Sequence, residues 1–212
     1  MTIISRGMSR YGIAEHARKR ILTDDEIRAV WTAAGGPFGG IVKMALLTAQ
    51  RLDKVVTAKR EHIVDGVWAI ETEEREKGNA TELVLPEMAL DVIAAQPVFV
   101  SSPYVFAGRG TAPFSSFSHA KKALDKASGV SDWTLHDLRR TARSLMSRAG
   151  VSSDHAERVL GHAIGGVEGV YDRHQYKEEK RIALAKLAAL IDGILNPRKN
   201  VVPLKARASA EA

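Results

Sequence analysis

The 212-residue sequence contains no cysteine, which excludes disulfides, thiolate metal sites and cysteine nucleophiles. Any nucleophile must therefore be an oxygen or a nitrogen. No apolar run approaches the roughly 18 to 20 residues of a membrane span, and the polar start of the chain lacks the hydrophobic region of a signal peptide. We therefore expect a soluble, cytoplasmic protein that has no membrane partner.

Several motifs that mark metal and cofactor sites are also absent. The sequence has no His-Glu-x-x-His, no Walker loop and no dinucleotide fingerprint. Its histidines at positions 155, 162 and 174 do not follow a zinc-site spacing, and Gly108-Arg109-Gly110 is too short to indicate a phosphate loop. We therefore expect a protein that needs no metal and no cofactor.

A strongly charged core is lacking too, although the formal net charge of the chain is +6. The first 20 residues hold five Lys or Arg and one Glu, and residues 197 to 212 hold four and one. Subtracting these from the totals of 31 and 25 leaves 22 basic and 23 acidic residues in the middle. Bulk charge therefore does not identify a nucleic-acid-binding core, and individually placed cations must do so.

The hydrophobic content of 45% is enough for one substantial core. Residues 1–20 are basic and contain two glycines, so we interpret them as a linker or arm. Residues 21–195 form the predicted folded domain, and residues 196–212 are predicted to be a disordered tail. Helices around one small antiparallel sheet make the expected class α+β, mainly α.

The first half of the domain alternates helices with short strands. Thr23 to Glu26 is a capping box that begins a helix ending at Gly35-Gly36. Residues 37–40 are predicted to be a loop before a buried helix that starts at Ile41. Two strands, 67–70 and 82–85, are predicted to form a hairpin whose turn contains Lys77, and Pro86 ends the second strand. A third short strand is predicted at 104–106, and a helix at 114–127.

From Thr134 to Leu195 the pattern is helical, with glycine breaks. Thr134 to Asp137 can cap one helix, and a shorter helix spans Asp154 to Leu160 before Gly161. The final helix, Lys177 to Leu195, is amphipathic. It could pass to a neighbouring protomer, but we expect it to pack in the core of its own domain.

His136 and Arg139 are three residues apart in the first turn of the helix that Thr134 caps, so they project from the same side. The helix N-terminus adds partial positive charge to a basic cluster of Arg139, Arg140 and Arg143. Such a cluster is expected to bind an anion. Taken alone, the same residues also fit solvated arginines beside an ordinary capping or core histidine.

His162 stands just beyond Gly161, and Tyr171 follows nine residues later. Each residue alone would more often be structural, and Tyr176 competes with Tyr171 for the role of nucleophile. A tyrosine with an ordinary pKa of about 10 attacks poorly at neutral pH unless cations stabilise the phenolate or a base removes its proton. Together with the preceding histidine and arginines, these residues suit a site that binds a phosphodiester and attacks it with a phenol.

Taken together, these segments resemble the tyrosine recombinase (phage integrase) family. The family pattern is an arginine near the domain start, a hairpin lysine, His-x-x-Arg, Leu-Gly-His and then a tyrosine, and the chain shows each in that order. Segments 132–141 and 171–176 look especially like those of bacterial prophage integrases. Carried over by motif, the first arginine is Arg51 and the hairpin lysine is Lys77. The resemblance covers roughly residues 21 to 195.

The resemblance implies a site-specific DNA recombinase. Tyr171 would attack a DNA phosphate and form a 3′-phosphotyrosyl bond, which keeps the energy of the broken bond, so no nucleotide cofactor is required. Arg51 and Arg139 would hold the non-bridging oxygens and stabilise charge in the transition state.

The remaining roles concern protons and further DNA contacts. The resemblance implies that His136 accepts or donates a proton near the nucleophile and that His162 donates a hydrogen bond to the phosphate. Lys77 would protonate the departing 5′-oxygen. Further DNA contacts are expected from Lys54, Arg140 and Arg143.

The chain departs from the family pattern beside the first arginine. Lys54 stands where the family usually carries an acid that orients Arg51, and a lysine one turn away is expected to repel that arginine. The nearby acid, Asp53, is two residues from Arg51, a spacing that on a helix points it toward a different side. Relatives also precede this domain with a separate helical DNA-binding domain, so the chain is either an excised catalytic domain or a natural truncation.

We expect double-stranded DNA as the partner. The chain is expected to act as a tetramer on DNA and to be a monomer or weak oligomer alone. Its expected location is the bacterial cytoplasm, on the nucleoid when it is bound to DNA. Two alternative functions stay open. A catalytically impaired DNA-binding remnant is motivated by Lys54 and the missing N-terminal half. A type IB topoisomerase shares the chemistry but reseals the same strand.

Overall fold

The computed structural model describes residues 19–71, 80–162 and 175–197. These residues form eight α-helices, one short 3-10 turn and a three-stranded antiparallel sheet. The helices are Asp24–Ala33 (α1), Gly36–Thr48 (α2), Leu52–Val56 (α3), Glu87–Ala94 (α4), Phe117–Ser128 (α5), Leu135–Arg148 (α6), Ser153–Leu160 (α7) and Lys177–Leu195 (α8). The strands are Ile63–Val64 (β1), Val67–Ala69 (β2) and Glu82–Val84 (β3). The expected mainly helical α+β class is confirmed.

The small sheet has the order β1-β2-β3. Trp68 in its central strand lies opposite Ile63 on one side and Leu83 on the other. The Trp68 and Leu83 side chains are 2% and 0% exposed, so one face of the sheet closes over the core while the neighbouring positions point outward. The predicted pairing of β2 with β3 is confirmed, whereas β1 was not predicted. Residues 72–79, which include the predicted turn, lie outside the described residues.

Helix α2 forms the centre of the core. Its residues are apolar all round, which is typical of a helix buried on every side. Ile41, Met44 and Leu47 are completely or almost completely buried, and α2 packs against α4, α6 and α8. Because the C-terminal ends of α2 and α7 meet the side of α6, this arrangement brings distant parts of the sequence to one place.

The prediction of a loop at residues 37–40 was wrong, because this segment forms the first turns of α2. Pro37 occupies a first-turn position, where its missing N–H costs nothing and its fixed φ suits the helix. The glycines serve close packing here. A Cβ at Gly39 would lie 2.4 Å from the carbonyl carbon of Ala34, and one at Gly40 would lie 2.6 Å from Cε1 of Phe106.

Other boundaries also differ from the prediction. The predicted strand at 104–106 is reduced to one isolated bridge between Lys59 and Tyr104. The backbone N–H of Phe114 donates to Phe106 O at 2.9 Å, so the helix predicted from residue 114 begins only at Phe117. Pro86 does end the second strand, but it is also the N-cap of α4, which was not predicted.

Helix α8 packs within its own domain, as expected. Leu184, Leu187 and Ile191 are fully buried against the helices α1, α2, α6 and α7 and the strand β3. At the other end of the described chain, Arg20 donates from Nη1 and Nη2 to Glu26, and from Nε to Asp132 O. The last residue of the predicted basic arm therefore packs on the folded part. Within the described ranges, no helix is both long and apolar enough to cross a membrane.

Candidate active site

The first turn of α6 is fixed by the predicted cap. The backbone N–H of Thr134 donates to Oδ2 of Asp137 at 2.8 Å, and the Asp137 N–H donates to Thr134 O at 2.9 Å. Asp137 is fully buried and also accepts from Nη1 of Arg140 at 2.7 Å. Because hydrogen bonds between Thr134 and Asp137 fix this first turn, the positions of His136 and Arg139 are fixed as well. The two side chains project from the same side of the helix.

Arg139 joins the ends of two helices. Its Nη1 donates to Ala49 O at 2.5 Å, and its Nη2 donates to Leu160 O at 2.9 Å. Ala49 caps the C-terminus of α2 in the left-handed conformation, and Leu160 is the last residue of α7. Both carbonyls lie at the negative ends of helix dipoles, so the guanidinium satisfies orphan acceptors and is held in place by them.

Arg139 is only 6% exposed, and burial, with a smaller effect of nearby Arg51, lowers the pKa of its guanidinium to about 10. The side chain therefore stays charged at neutral pH. A guanidinium carries five N–H donors. Its three contacts within the described residues, to Ala49, Leu160 and His162, leave two donors for an anion.

His136 lies at the rim of the same site. Partial burial is the main cause that lowers the pKa of its imidazole, and the positive charges of Arg140 and Arg139 lower it further. Buried Asp137 acts in the opposite direction but is the smallest of these causes. The lowered pKa means that the ring is neutral at pH 7, so one ring nitrogen can accept a proton.

Arg51 and Asp53 reach the site from the junction between α2 and α3. Arg51 is the N-cap of α3 and has an extended backbone, with φ −61° and ψ 145°. Because Arg51 precedes the helix, helical spacing does not apply between it and Asp53. The expectation that Asp53 points to a different side was therefore wrong: both residues line one cleft.

His162 connects Arg139 to an acidic residue that was not predicted. Nε2 of His162 lies 3.0 Å from Nη2 of Arg139, and Nδ1 lies 2.5 Å from Oε2 of Glu157. Because the guanidinium can only donate, Nε2 accepts in this contact, and Nδ1–H donates to the carboxylate. In this arrangement the single N–H of His162 is given to Glu157, which differs from the expected donation to the phosphate. Glu157 Oε1 in turn accepts from Nε of Arg143 at 2.8 Å.

Glu157 is ionised despite partial burial. Burial opposes its charge, but the hydrogen bonds from Arg143 and His162 together outweigh this effect and lower the pKa of Glu157. The carboxylate thus fixes both ring orientation and tautomer of His162. The sequence offers one signal for it, an acid one helical turn before the Leu-Gly-His motif.

These side chains surround an open cleft with a volume of about 720 Å³. Six of the lining residues carry the cationic or imidazole groups predicted from sequence: Arg51, His136, Arg139, Arg140, Arg143 and His162. Asp53 is the one acid among the described residues that line it. A cleft of this size and charge suits a phosphate with part of the chain that bears it.

Lys54, expected to contact DNA, lies elsewhere. Its side chain is 6% exposed, and its Nζ donates to Glu71 O at 2.9 Å. Three residues after the N-cap Arg51, it turns toward the sheet end of the domain and away from the cleft lining. The ammonium is therefore committed within the protein, which corrects both the expected phosphate contact and the expected conflict with Arg51.

Two predicted catalytic residues, Lys77 and Tyr171, lie outside the described residues. The competing tyrosine is described: Tyr176 is the N-cap of α8, and the Arg158 guanidinium lies 3.2 Å from the centroid of its ring. This stacking gives Tyr176 a packing role at the start of the helix.

Comparison with known proteins identifies the family. Residues 18–178 match the Phage integrase family, which is well over half of the chain. The chain therefore belongs to the phage integrase family. It is 28% identical over 160 residues to the prophage integrase IntZ of Escherichia coli strain K12, covering 73% of this chain. The match spans only 39% of that protein, so the chain corresponds to less than half of this relative.

Solved structures show the same fold. The lambda integrase catalytic core matches with a TM-score of 0.51 and 24% identity, covering 67% of this chain and 94% of that one. A lambda integrase dimer bound to a COC′ core site matches with a TM-score of 0.53 and 22% identity, covering 68% and 58%. A lambda integrase tetramer bound to a Holliday junction gives 0.53 and 22%, covering 73% and 49%.

Proposed function

We propose that the chain is the catalytic domain of a site-specific tyrosine recombinase that cleaves and rejoins DNA strands through a 3′-phosphotyrosyl intermediate. The observation that carries this proposal is the convergence of Arg51, His136, Arg139 and His162 on one cleft. They come from three separate parts of the chain. Their order and types match the family pattern read from the sequence.

Phosphate binding falls to Arg51 and Arg139. Arg139 is anchored by the two helix-end carbonyls, so the donors that remain are already oriented when a phosphate enters. Preorganised donors aimed at a developing negative charge are worth most in a partly buried site, because they need no rearrangement during the reaction. Arg51 brings a second cation to the same cleft. Arg140 and Arg143 extend the positive surface toward neighbouring phosphates.

Cleavage would exchange one bond to phosphorus for another and transfer two protons. The Tyr171 oxygen forms a bond to phosphorus, and its phenolic proton passes to neutral His136. The bond from phosphorus to the 5′-oxygen breaks, and Lys77 gives that oxygen a proton. His162, held by Glu157, lies beside the phosphate-binding face of Arg139. Attack by a second 5′-hydroxyl reverses the step on a new partner.

This chemistry requires neither a nucleotide nor a metal, because the phosphotyrosyl bond stores the energy of the broken phosphodiester. The partner would be double-stranded DNA, on which the chain would act as a tetramer, and as a monomer or weak oligomer alone. Lambda integrase, whose fold this chain shares, has been captured as a dimer on a core site and as a tetramer on a Holliday junction. Action on DNA would place the chain in the bacterial cytoplasm, at the nucleoid, as part of a prophage integrase.

A nicked suicide substrate tests the proposal. The substrates are nicked duplexes with a randomised core sequence, from which a short fragment dissociates after cleavage. Because religation then lacks its 5′-hydroxyl, the covalent complex accumulates. It is detected on an SDS gel, and its DNA can be sequenced. The full chain is expected to form such a complex in a chelator and without nucleotide. A Tyr171→Phe chain is expected to form none. Absence of a covalent complex from the unaltered chain on every sequence would contradict the proposal.

The same substrate separates the two alternatives. Lys54 motivated the impaired remnant, but its ammonium is bound to Glu71 O and leaves Arg51 at the cleft. The remnant would bind the duplexes and leave them intact. A topoisomerase would relax supercoiled plasmid without joining strands from two duplexes.

A further inference from the structure

Two buried lysines hold the two ends of the segment that carries Lys77. Lys54 Nζ donates to Glu71 O at 2.9 Å, on one side of residues 72–79. Lys180 Nζ donates to Ala80 O at 2.7 Å, on the other side. The side chains of Lys54 and Lys180 are only 6% and 3% exposed. The hairpin stem is therefore bound at both exits by an ammonium group from a helix.

Burial of a lysine is unfavourable unless its ammonium group is well partnered. An apolar side chain of similar length would fill the same space without the desolvation cost. Burial also lowers the pKa of Lys180, which shows how far its charge is removed from water. Each buried ammonium group donates to a carbonyl that flanks residues 72–79, so the two lysines do more than fill space in the core.

The backbone is strained at Thr81, directly after the carbonyl that Lys180 binds. Thr81 has φ +56°, in the left-handed region, and the Glu82 N–H donates to Ala80 O at 2.7 Å across this tight turn. Such turns with a positive central φ are rare outside glycine. A strained residue persists only where its surroundings fix it, and strain of this kind clusters at functional sites.

The two lysines belong to the helices that follow the other catalytic residues. Lys54 lies in α3, three residues after Arg51. Lys180 lies in the first turn of α8, nine residues after Tyr171 in the sequence. The start of α8 is itself held to α7 by the stacking of Arg158 on Tyr176. The stem is thus tied to α3, whose N-cap is the cleft residue Arg51, and to α8, which follows Tyr171 in the sequence.

We propose that Lys54 and Lys180 are positioning residues that register the hairpin against α3 and α8, so that Lys77 reaches the departing 5′-oxygen. This inference rests on the proposed strand-transfer function. The acidic residue that the family usually carries at this position orients the first arginine, here Arg51. Lys54 would instead orient Lys77, the residue that protonates the leaving 5′-oxygen.

A bridging 5′-sulfur at the scissile phosphate provides the test. A thiolate leaves without being protonated, because a thiol is a much stronger acid than an alcohol. A defect in delivery of the Lys77 proton therefore slows cleavage of the oxygen substrate and spares the sulfur substrate. A general loss of folding or of DNA binding slows both. The rate of covalent-complex formation is measured on both substrates with the full chain.

For Lys54→Met and Lys180→Met we expect cleavage of the oxygen substrate to be about 10²-fold slower, which is the size of effect typical of general acid catalysis. Cleavage of the sulfur substrate should be no more than about threefold slower. Lys77→Ala is expected to show the same selective loss, and adding Lys180→Met to it should slow the oxygen substrate no further. Lys180→Arg, which can still donate to Ala80 O, should recover most of the rate. Lys186→Met, on the same helix but bound to Gly150 O at 3.3 Å, should match the unaltered chain.

Each contrary result has a distinct meaning. Equal losses on both substrates, or no loss, in the Lys54→Met and Lys180→Met chains would overturn the inference and leave the proposed function intact. A Lys77→Ala chain without selective loss would also overturn it. If the unaltered chain formed no covalent complex with either substrate, the proposed function itself would fail.

Discussion

Arg139 and His162 are in direct contact, with Nη2 of the arginine 3.0 Å from Nε2 of the histidine. The two residues are 23 positions apart in the sequence, and the contact forms because α7 ends where the Arg139 side chain emerges from α6. The same guanidinium also binds the C-terminal carbonyls of α2 and α7. One side chain therefore organises the phosphate site and joins three helices.

Replacing Arg139 by lysine should damage both roles. A lysine keeps the charge but cannot donate in two directions from a planar fork. We expect cleavage to fall about 10²-fold, the usual effect of losing one oxyanion-stabilising donor. Stability should fall by about 1–3 kcal/mol, because a buried carbonyl loses its donor. Single-turnover cleavage and thermal unfolding measure these effects.

The matched control is Arg148→Lys on the same helix. Arg148 forms an exposed pair with Asp24, with hydrogen bonds of 2.6 and 2.8 Å, so the change should leave cleavage unaltered. Near-normal cleavage by Arg139→Lys would remove Arg139 from the phosphate site.

Glu157→Gln tests the partner of His162. The neutral amide no longer holds the Nδ1–H of His162 and the guanidinium of Arg143 with a negative charge, and hydrogen bonds to charged groups contribute about 1.5–3 kcal/mol. We expect cleavage to fall by about tenfold or more, since about 1.4 kcal/mol is a factor of ten. Asp154→Asn on the same helix, which likewise removes the negative charge from an ion pair, here with Arg158 at 3.1 Å, is the control. An equal effect of both substitutions would argue against a role for Glu157 in the site.

The pH dependence of cleavage should report His136. Burial, then Arg140 and Arg139, lower the pKa of His136 from its ordinary value of 6.5. Because the neutral ring is the proton acceptor, the rate should stay high as the pH falls to 6.5 and decline only below it. Arg140→Gln removes a positive charge, so the acid limb should move to higher pH.

This shift should be measured in single turnovers at saturating DNA, since Arg140→Gln also weakens binding. Arg148→Gln, far from the cleft on the same helix, should leave the acid limb in place. An acid limb that does not respond to Arg140→Gln would argue that another group accepts the proton.

Lys54→Glu gives a result opposite to the one suggested by sequence alone. If Lys54 repelled Arg51, an acid in its place would raise cleavage. The structure instead buries the Lys54 ammonium against Glu71 O, so a glutamate would place an unpaired carboxylate beside a carbonyl oxygen. We expect a loss of about 3 kcal/mol or more in the free energy of unfolding, as for other uncompensated buried charges, and no gain in cleavage. Faster cleavage by the variant would restore the original interpretation of Lys54.

Local signals were enough to predict the helices that carry most of the site. The cap at Thr134, the glycine after Leu160 and the apolar period of α8 each act within a few residues, and each helix forms close to where it was expected. His136, Arg139 and His162 could be located because their positions relative to those helix ends are fixed locally.

Errors arose where tertiary contacts decide the local structure. Gly39 and Gly40 favour a loop in the sequence, but they lie in α2, where close packing against Ala34 and Phe106 leaves no room for a Cβ and so requires glycine. The spacing between Arg51 and Asp53 predicts different faces only if both residues lie within a helix, and Arg51 is the N-cap. The ammonium of Lys54 donates to the carbonyl of Glu71, 17 residues away in the sequence, and no local pattern indicates this contact.

The family pattern supplied what periodicity could not. Arg51 has no local feature that separates it from a surface arginine, and only its order relative to the later motifs suggested a role. The structure places it beside Asp53 and Arg139 in one cleft. That pattern does not include Glu157, although its position one helical turn before Leu160 of the Leu-Gly-His motif is visible in the sequence.

The decisive measurement is the identity of the residue that attacks the DNA phosphate. The covalent complex formed with the suicide substrate can be digested with nuclease and protease, and mass spectrometry of the peptides then locates the residue that carries the nucleotide. We predict that the nucleotide lies on Tyr171 and that Tyr176→Phe still forms the complex, because Tyr176 is stacked on Arg158 at the start of α8. A nucleotide on Tyr176, or a complex that persists in Tyr171→Phe, would show that Tyr171 is not the nucleophile.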